Sequence, residues 1–222
     1  MSGQTYTGNV QVGGPADVRE LPGLTIRKLA VSEMANNVYL LTSTATGESL
    51  LVDAAAEPAA LLGLIGDADV RTVVTTHGHW DHHRALPEVV QATGAETVAH
   101  PADAADLPVP VTRPVSHGDT VPVGDQALAV VHLRGHTPGS IALVWRGPEG
   151  AGTHVFTGDS LFPGGVGNTQ SDAARFTSLV DDVESRLFGE LPDDTWVYPG
   201  HGADTTIGAE RPHLPEWRAR GW

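Results

Sequence analysis

The chain has 222 residues, of which 40% are hydrophobic, and this size and composition suit one compact domain with a sizeable core. Its formal net charge of −14 disfavours nucleic acid as a partner, because neutralising phosphates requires Lys and Arg, and no apolar run reaches the roughly 18 residues that a membrane span needs. With no cysteine, the chain can form neither disulfides nor thiolate metal ligands.

The first 23 residues are punctuated by Gly and Pro and are predicted to form an N-terminal lead-in. Residues 1–12 lack the apolar middle of a secretory signal, so we expect a cytoplasmic protein. Residues 24–222 are expected to form one domain, because no linker divides them. Within that domain, residues 101–114 carry four prolines and are predicted to be a surface connection.

Short strand-like runs alternate with helical patterns from residue 37 onward. In the first half, strands are predicted over residues 37–42, 49–53, 70–76 and 97–99, with helices over 57–65 and 85–93. In the second half, strands are predicted over residues 120–123, 128–133, 140–145, 154–157 and 195–198, with a helix over 172–188 before the last of them. Two similar passes of strands and helices predict an α/β fold in which two sheets pack face to face, with helices outside.

A run of metal-ligand residues begins where the strand predicted over residues 70–76 ends. His77 and His79 lie two residues apart in an extended segment, so they face the same way and can bind one ion together. Asp81 and His82 follow as the chain turns and can face a second ion. Imidazole and carboxylate are the ligands that a divalent metal such as zinc prefers. The alternative is a histidine-rich surface loop.

Three further ligand-type residues also follow predicted strands. His136 can complete the first site, the carboxylate of Asp159 can bridge both ions, and His201 can complete the second site. Each signal is weak alone, since a Gly-Asp pair is usually a turn and a Gly-His pair usually has no function. Four strand ends that carry such residues in this order predict a binuclear metal site.

This ordered set of residues resembles the metallo-β-lactamase fold family, and specifically its glyoxalase II-like branch, over roughly residues 24–210. The resemblance implies a four-layer αβ/βα sandwich with two divalent metal ions at one edge, zinc being favoured over iron or manganese. The ligands that it implies for the first metal are His77, His79, His136 and Asp159. The ligands that it implies for the second metal are Asp81, His82, Asp159 and His201.

The predicted activity is hydrolysis of a small molecule. Two divalent ions lower the pKa of a bound water to about 7, and the resulting metal-bound hydroxide can attack a carbonyl. A thiolate leaves without protonation, and no dedicated acid stands out in the sequence, so a small activated ester or thioester is the predicted substrate. Asp81 and Asp159 are the predicted catalytic carboxylates. True β-lactamases of this fold usually lack the bridging Asp, which argues against that activity.

The sequence departs from glyoxalase II where that family binds glutathione. Asn168 and Gln170 stand where the family has a cation and an aromatic residue, and Ala203 stands where it has a tyrosine. The sequence ends about twenty residues after His201, without the helical extension that binds glutathione in the family. Glutathione is therefore not the expected thiol.

Other functions remain open at this point. A persulfide dioxygenase-like enzyme would use one iron on His77, His136 and Asp159, although its family keeps an Arg at the position of Asn168. A lactonase or a phosphodiesterase would use the same scaffold. A metal-bearing binding protein without catalysis would be favoured by a lost ligand, and none is lost.

The remaining polar residues near these motifs receive simpler interpretations. His83 is predicted to point away from the metals by alternation. Turn chemistry explains Asn36 and Asn37, which precede a strand. The other histidines lack partners at ligand spacing and are expected to be structural or exposed: His100, His117, His132, His154 and His213.

Overall fold

The computed structural model describes residues 6–221, and its strands form two large sheets. The first sheet has seven strands in sequential order, antiparallel from β1 to β4 and parallel from β4 to β7. These strands are β1 Asp17–Leu21, β2 Leu24–Val31, β3 Asn36–Ser43, β4 Glu48–Val52, β5 Asp69–Val74, β6 Glu96–Ala99 and β7 Arg113–Pro114.

The second sheet has six strands within the described range, in the order β15-β14-β11-β10-β9-β8, and only β11 and β14 pair in parallel. A small hairpin, β12 and β13, lies beside it. These strands are β8 Thr120–Val123, β9 Gln126–His132, β10 Ile141–Arg146, β11 Thr153–Gly158, β12 Leu161–Phe162, β13 Gly165–Val166, β14 Trp196–Pro199 and β15 Thr205–Thr206. The α-helices are α1 Pro58–Ile65, α2 Leu86–Thr93, α3 Ala173–Val183, α4 Ile207–Glu210 and α5 Leu214–Arg220.

Three apolar clusters separate four layers. The central cluster joins the inner faces of the two sheets, with Ile26 and Leu41 from the first and Val130 and Leu143 from the second. A second cluster packs α1 and α2 on the outer face of the first sheet, and a third packs α3 and α5 on the outer face of the second. In α5, Trp217 is fully buried in the third cluster. The predicted αβ/βα sandwich is confirmed.

Several elements differ from the sequence-based expectations. The predicted lead-in contains β1, which pairs with β2 at the edge of the first sheet; residues 1–5 of that lead-in lie outside the described residues. The predicted helix over residues 172–188 ends as an α-helix at Val183, and a wider π-type turn, Glu184–Phe188, follows it. No helix in the described part of the chain is long and apolar enough to cross a membrane.

Backbone hydrogen bonds join the loops at one edge of the sandwich. The N–H of Ile141 donates to the carbonyl of Thr76 at 2.9 Å, which links the end of β5 to the start of β10. The N–H of Gly200 donates to Gly158 at 2.8 Å, and the N–H of Asn37 donates to Gly200 at 2.7 Å. These contacts fix the end of β5 against β10, and the ends of β11 and β14 against each other and against β3.

Candidate metal centre

Seven acidic and histidine side chains from four loops meet at this edge. His77 and His79 follow β5, with His79 in extended backbone, and a short 3₁₀ turn, Trp80–His82, then brings Asp81 and His82 inside. The turn closes through the N–H of His82, which donates to the carbonyl of His79 at 3.0 Å. The other three side chains come from the loops after β9, β11 and β14: His136, Asp159 and His201.

The seven residues form two groups with a shared carboxylate. Ligand atoms of each group lie within 4.8 Å of one another; the first group is His77, His79 and His136, and the second is Asp81, His82 and His201. Asp159 contacts both groups. Its Oδ2 lies 3.6 Å from Nε2 of His136 and 3.5 Å from Nε2 of His201, and its Oδ1 lies 3.4 Å from Nε2 of His82. The structure thus brings together all seven residues that the sequence singled out.

Backbone carbonyls fix the orientation of two imidazoles. Nδ1 of His136 lies 2.8 Å from the carbonyl of Asn168, and Nδ1 of His201 lies 2.9 Å from the carbonyl of Met34. A carbonyl only accepts, so each Nδ1 carries a hydrogen and each ring directs its Nε2 to the centre. A ring held in this way is the usual form of a histidine metal ligand.

A chain of hydrogen bonds through Asp53 fixes two more imidazoles. Oδ2 of Asp53 accepts from Oγ1 of Thr76 and from Nδ1 of His82, both at 2.8 Å. The Thr76 hydroxyl donates its only hydrogen to Asp53. It therefore accepts a hydrogen bond from Nδ1 of His77, 3.0 Å away. His77 and His82 therefore also carry a hydrogen on Nδ1 and direct Nε2 inward.

This donor set fits cations. The Nε2 atoms of His82 and His201 lie 3.1 Å apart, and two imidazole nitrogens that face each other at that distance need a proton or a metal ion between them. Three buried atoms at the centre have no hydrogen-bond partner among the described residues: Nε2 of His77, Nε2 of His136 and Oδ1 of Asp159. Leaving such atoms without a partner is costly, so the imidazole and carboxylate groups suit divalent metal ions.

The pKa values of these groups divide them into two kinds. Burial lowers the pKa of His136 to about 4 and holds the pKa of His77 well below its ordinary value, which keeps both rings neutral. Burial also opposes a charge on His82 and His201, yet Asp159 and the other carboxylates nearby raise the pKa of His82 to about 10 and that of His201 to about 9. The second group thus attracts positive charge strongly, and a metal ion bound there would displace protons.

Both carboxylates of the site are ionised. Burial alone would raise the pKa of Asp81 and of Asp159, but hydrogen bonds from His201 and the charge of His82 hold both pKa values below the ordinary range. Asp81 also accepts from Nδ2 of Asn36 at 2.9 Å. Two negative charges therefore lie among the imidazoles.

Two glycines allow the loops to approach this closely. A Cβ atom at Gly200 would lie 2.1 Å from Oδ1 of Asp159, and a Cβ atom at Gly167 would lie 1.8 Å from the backbone oxygen of the same residue. Either contact is far inside van der Waals distance, so a side chain at these positions would push Asp159 out of place.

Sequence reasoning missed three residues of this site. The turn interpretation of Asn36 and Asn37 is wrong: both are buried in β3, where Asn36 holds Asp81 and Nδ2 of Asn37 donates to the carbonyls of Pro199 and Gly202, each at 2.9 Å. Asp53 was missed although it follows a buried strand, as Asp159 does. His83 lies outside both groups, as expected, with its Nε2 3.3 Å from the carbonyl of Gly78.

Comparisons with known proteins agree with this geometry. The model of the metallo-beta-lactamase superfamily matches residues 31–201. A hydroxyacylglutathione hydrolase of Fuscovulum blasticum is 36% identical over 170 residues, which are 75% of this chain and 62% of that protein. The chain therefore spans less than two thirds of the length of that relative.

Two solved structures share both the fold and about a third of the sequence. ETHE1 from Myxococcus xanthus superimposes with a TM-score of 0.74 and 32% identity, over 86% of this chain and 83% of that one. TTHA1623 in a di-iron-bound form superimposes with a TM-score of 0.69 and 32% identity, over 83% of this chain and 96% of that one.

Proposed function

The chain belongs to the metallo-β-lactamase superfamily, and we propose that it is a binuclear metal-dependent hydrolase of a small activated ester or thioester. The observation that carries this proposal is the orientation of the imidazoles. Four rings hold a hydrogen on Nδ1 and direct Nε2 to a centre that also contains the ionised Asp81 and Asp159. The di-iron form of TTHA1623, at 32% identity, supports a site for two ions.

The two ligand groups would hold one ion each, with Asp159 between them. In the first group, His136 and His77 are neutral at physiological pH and can bind a cation without losing a proton. In the second group, Asn36 orients Asp81 and Asp53 orients His82, so the protein fixes these side chains before any ligand arrives. When bound, the two ions would supply a water of lowered pKa and positive charge for the developing oxyanion of the carbonyl.

The substrate is a compound whose leaving group departs without a proton donor. A thiolate or an activated alcohol meets that condition, whereas an amide nitrogen must be protonated first. Glutathione is not the preferred thiol in this proposal. The side-chain amide oxygens of the loop after β13 already accept hydrogen bonds: Oδ1 of Asn168 from the N–H of Gln170 at 2.7 Å, and Oε1 of Gln170 from Arg175 of α3 at 3.3 Å.

A substrate panel tests this proposal. The protein would be loaded separately with zinc, iron and manganese, and assayed on simple thioesters, lactones, phosphodiesters and S-lactoylglutathione. We expect the simple thioesters to be hydrolysed with the highest kcat/KM. A kcat/KM above roughly 10⁵ M⁻¹s⁻¹ for S-lactoylglutathione, which is typical of dedicated enzymes, would contradict the proposed thiol preference. Preferential cleavage of the lactones or phosphodiesters would contradict the proposed substrate class.

A mononuclear iron enzyme that oxidises a persulfide is the second candidate. One observation favours it: the buried atoms without partners belong to His77, His136 and Asp159, two imidazoles and one carboxylate, which is a ligand set that suits iron oxygenases. In that case the side chains of the second group would hydrogen-bond to one another and would hold no ion. Oxygen consumption with a persulfide, in protein that contains one iron per chain, would support this candidate over hydrolysis.

A further inference from the structure

A cavity of about 600 Å³ opens beside His79. Its walls come from the turn after β5, the loop that carries His136, and the N-terminal half of α3. Small residues form much of the lining, including Gly78, Thr137, Pro138, Ala174 and Ser178. Because His79 belongs both to the first ligand group and to this lining, the cavity continues directly from the candidate metal centre.

Arg175 contributes a positive charge to this cavity. Its Nε donates to the carbonyl of Gly135 at 2.7 Å, and its other nitrogens donate to the carbonyl of His136 and to Oε1 of Gln170. All three acceptors are neutral. Within residues 6–221, no carboxylate forms an ion pair with Arg175, so no direct partner offsets its charge.

Arg134 brings a second guanidinium to the lining of the cavity. Its guanidinium forms two hydrogen bonds of 2.8 Å with Asp182, and it stays half exposed at the cavity. Arg186 also reaches Asp182, at 3.4 Å, so one carboxylate faces two cations. In a chain with 27 acidic and 13 basic residues, the lining of this cavity therefore carries two arginines and one carboxylate, that of Asp106.

Asp106 is the acidic side chain among the described residues that line the cavity. It is exposed and forms no ion pair with a described residue. Its charge opposes binding of an anion near Gly78, so an anionic group is favoured beside Arg134 and Arg175.

We propose that this cavity is a substrate subsite in which Arg134 and Arg175 bind a carboxylate on one arm of the ester or thioester. The inference rests on the proposed function, because it assumes that the reacting carbonyl lies at the metal centre. Arg175 also positions the His136 loop, so its substitution would disturb both roles. Arg134 contacts no residue of the two ligand groups through its side chain and is the cleaner site for a test.

The experiment compares substrates that differ only in a charge. One pair is a succinyl thioester and its succinamoyl analogue on the same thiol, which places the carboxylate or the amide in the acyl half. The other pair is the acetyl thioester of 3-mercaptopropionate and that of 3-mercaptopropionamide, which places it in the leaving group. The ratio of kcat/KM within each pair shows which half enters the cavity.

The wild type should prefer the carboxylate in one of the two pairs. Arg134→Gln should reduce that preference by about 5- to 20-fold, mainly through KM, as expected for loss of one charged contact at a partly open site. Asp106→Asn should increase the preference, because it removes the opposing charge. Arg146→Gln, at the far end of β10, is the matched control and should leave the ratio unchanged. Equal kcat/KM values for both members of each pair in the wild type would overturn the proposal.

A binding measurement separates this inference from the proposed reaction. Calorimetric titration should give tighter binding for succinate than for succinamate, and Arg134→Gln should remove the difference. If no thioester is hydrolysed but this dependence on Arg134 holds, the subsite is supported and the proposed reaction fails. If thioesters are hydrolysed and Arg134→Gln leaves the kcat/KM ratio unchanged within both substrate pairs, the subsite is refuted and the reaction stands.

Discussion

Asp53 lies 2.8 Å from Nδ1 of His82 and determines which nitrogen of that imidazole faces the candidate metal centre. Asp53 directly follows β4, is buried, and adopts a φ of 58°, in the left-handed region that non-glycine residues rarely occupy. The N–H and the hydroxyl of Thr76 both donate to it, at 2.8 Å each. Strained backbone that is held by three hydrogen bonds at a site is a feature expected of a functional position.

Asp53→Asn should weaken metal binding without unfolding the protein. An asparagine side chain can turn its NH₂ toward Nδ1 of His82, which would place the hydrogen of the ring on Nε2 and remove a lone pair from the centre. We expect the affinity for the ion of the second group, to which His82 belongs, to fall by about 10- to 100-fold. Zinc titration against a competing chelator measures this change. Asp69→Asn, at an exposed position, is the control and should bind zinc like the wild type.

Asp159→Asn should reduce kcat by more than about 100-fold, because a neutral amide cannot balance the charge of two cations. His83→Ala is the comparison from the same motif. His83 lies outside both ligand groups, so this variant should keep most of its activity even if its melting temperature falls. Equal loss of activity in the two variants would show that the ligand assignment is wrong.

The clustering of the seven side chains was predictable because their motifs follow predicted strands in an order that resembles the metallo-β-lactamase fold family. His77, His79, Asp81 and His82 form a dense motif, and the later residues each follow a strand. The roles of Asn36, Asn37 and Asp53 at this site were not predictable, because they depend on contacts between distant segments. Asn37 binds carbonyls about 160 residues away, and nothing near it in the sequence indicates those partners. Two adjacent polar residues at the start of an apolar strand were the signal that the sequence offered.

The fold was predictable in its layers and less so at its edges. β2 has alternating apolar residues and could have been found, whereas β7, β12, β13 and β15 have two residues each and show no periodicity. Their pairing depends on neighbouring strands. The helix predicted over residues 172–188 keeps its apolar spacing through Leu187, so the sequence pattern does not show the wider turn after Val183.

Lys28→Met should destabilise the protein by about 3–5 kcal/mol, because it leaves Asp204 buried without its cation. Nζ of Lys28 lies 2.6 Å from Oδ1 of Asp204, both side chains are fully buried, and Nζ also donates to the carbonyl of Gly202 at 2.8 Å. Urea unfolding measures the change. Arg71→Met breaks the exposed pair with Asp69 and should change the free energy of unfolding by less than about 1 kcal/mol. A similar cost for both variants would argue against a buried ion pair.

His154→Gln should make the protein more resistant to acid. Burial lowers the pKa of His154 to about 4, and its ring contacts the hydroxyl of Tyr198 and the carbonyl of Ala151, both at 3.0 Å. The unfolded chain binds a proton near pH 6.5 and the folded protein does not, so stability is lost as pH falls from 6.5 toward 4.

The contribution of His154 to that loss is roughly 2–3 kcal/mol, and glutamine cannot titrate. The free energy of unfolding should therefore fall less between pH 6.5 and pH 4 in His154→Gln than in the wild type. His213→Gln, at an exposed position, is the control and should follow the wild-type curve. Identical slopes for all three proteins would contradict the account of His154.

The number of metal ions per chain tests the binuclear site most directly. The protein would be reconstituted with excess zinc or iron, freed of loosely bound ions by gel filtration, and analysed by inductively coupled plasma mass spectrometry. We predict two ions per chain in the wild type and one in His201→Ala, which removes a ligand of the second group only. A wild type that saturates at one ion per chain with either metal, and a His201→Ala variant that binds the same amount, would contradict the central claim.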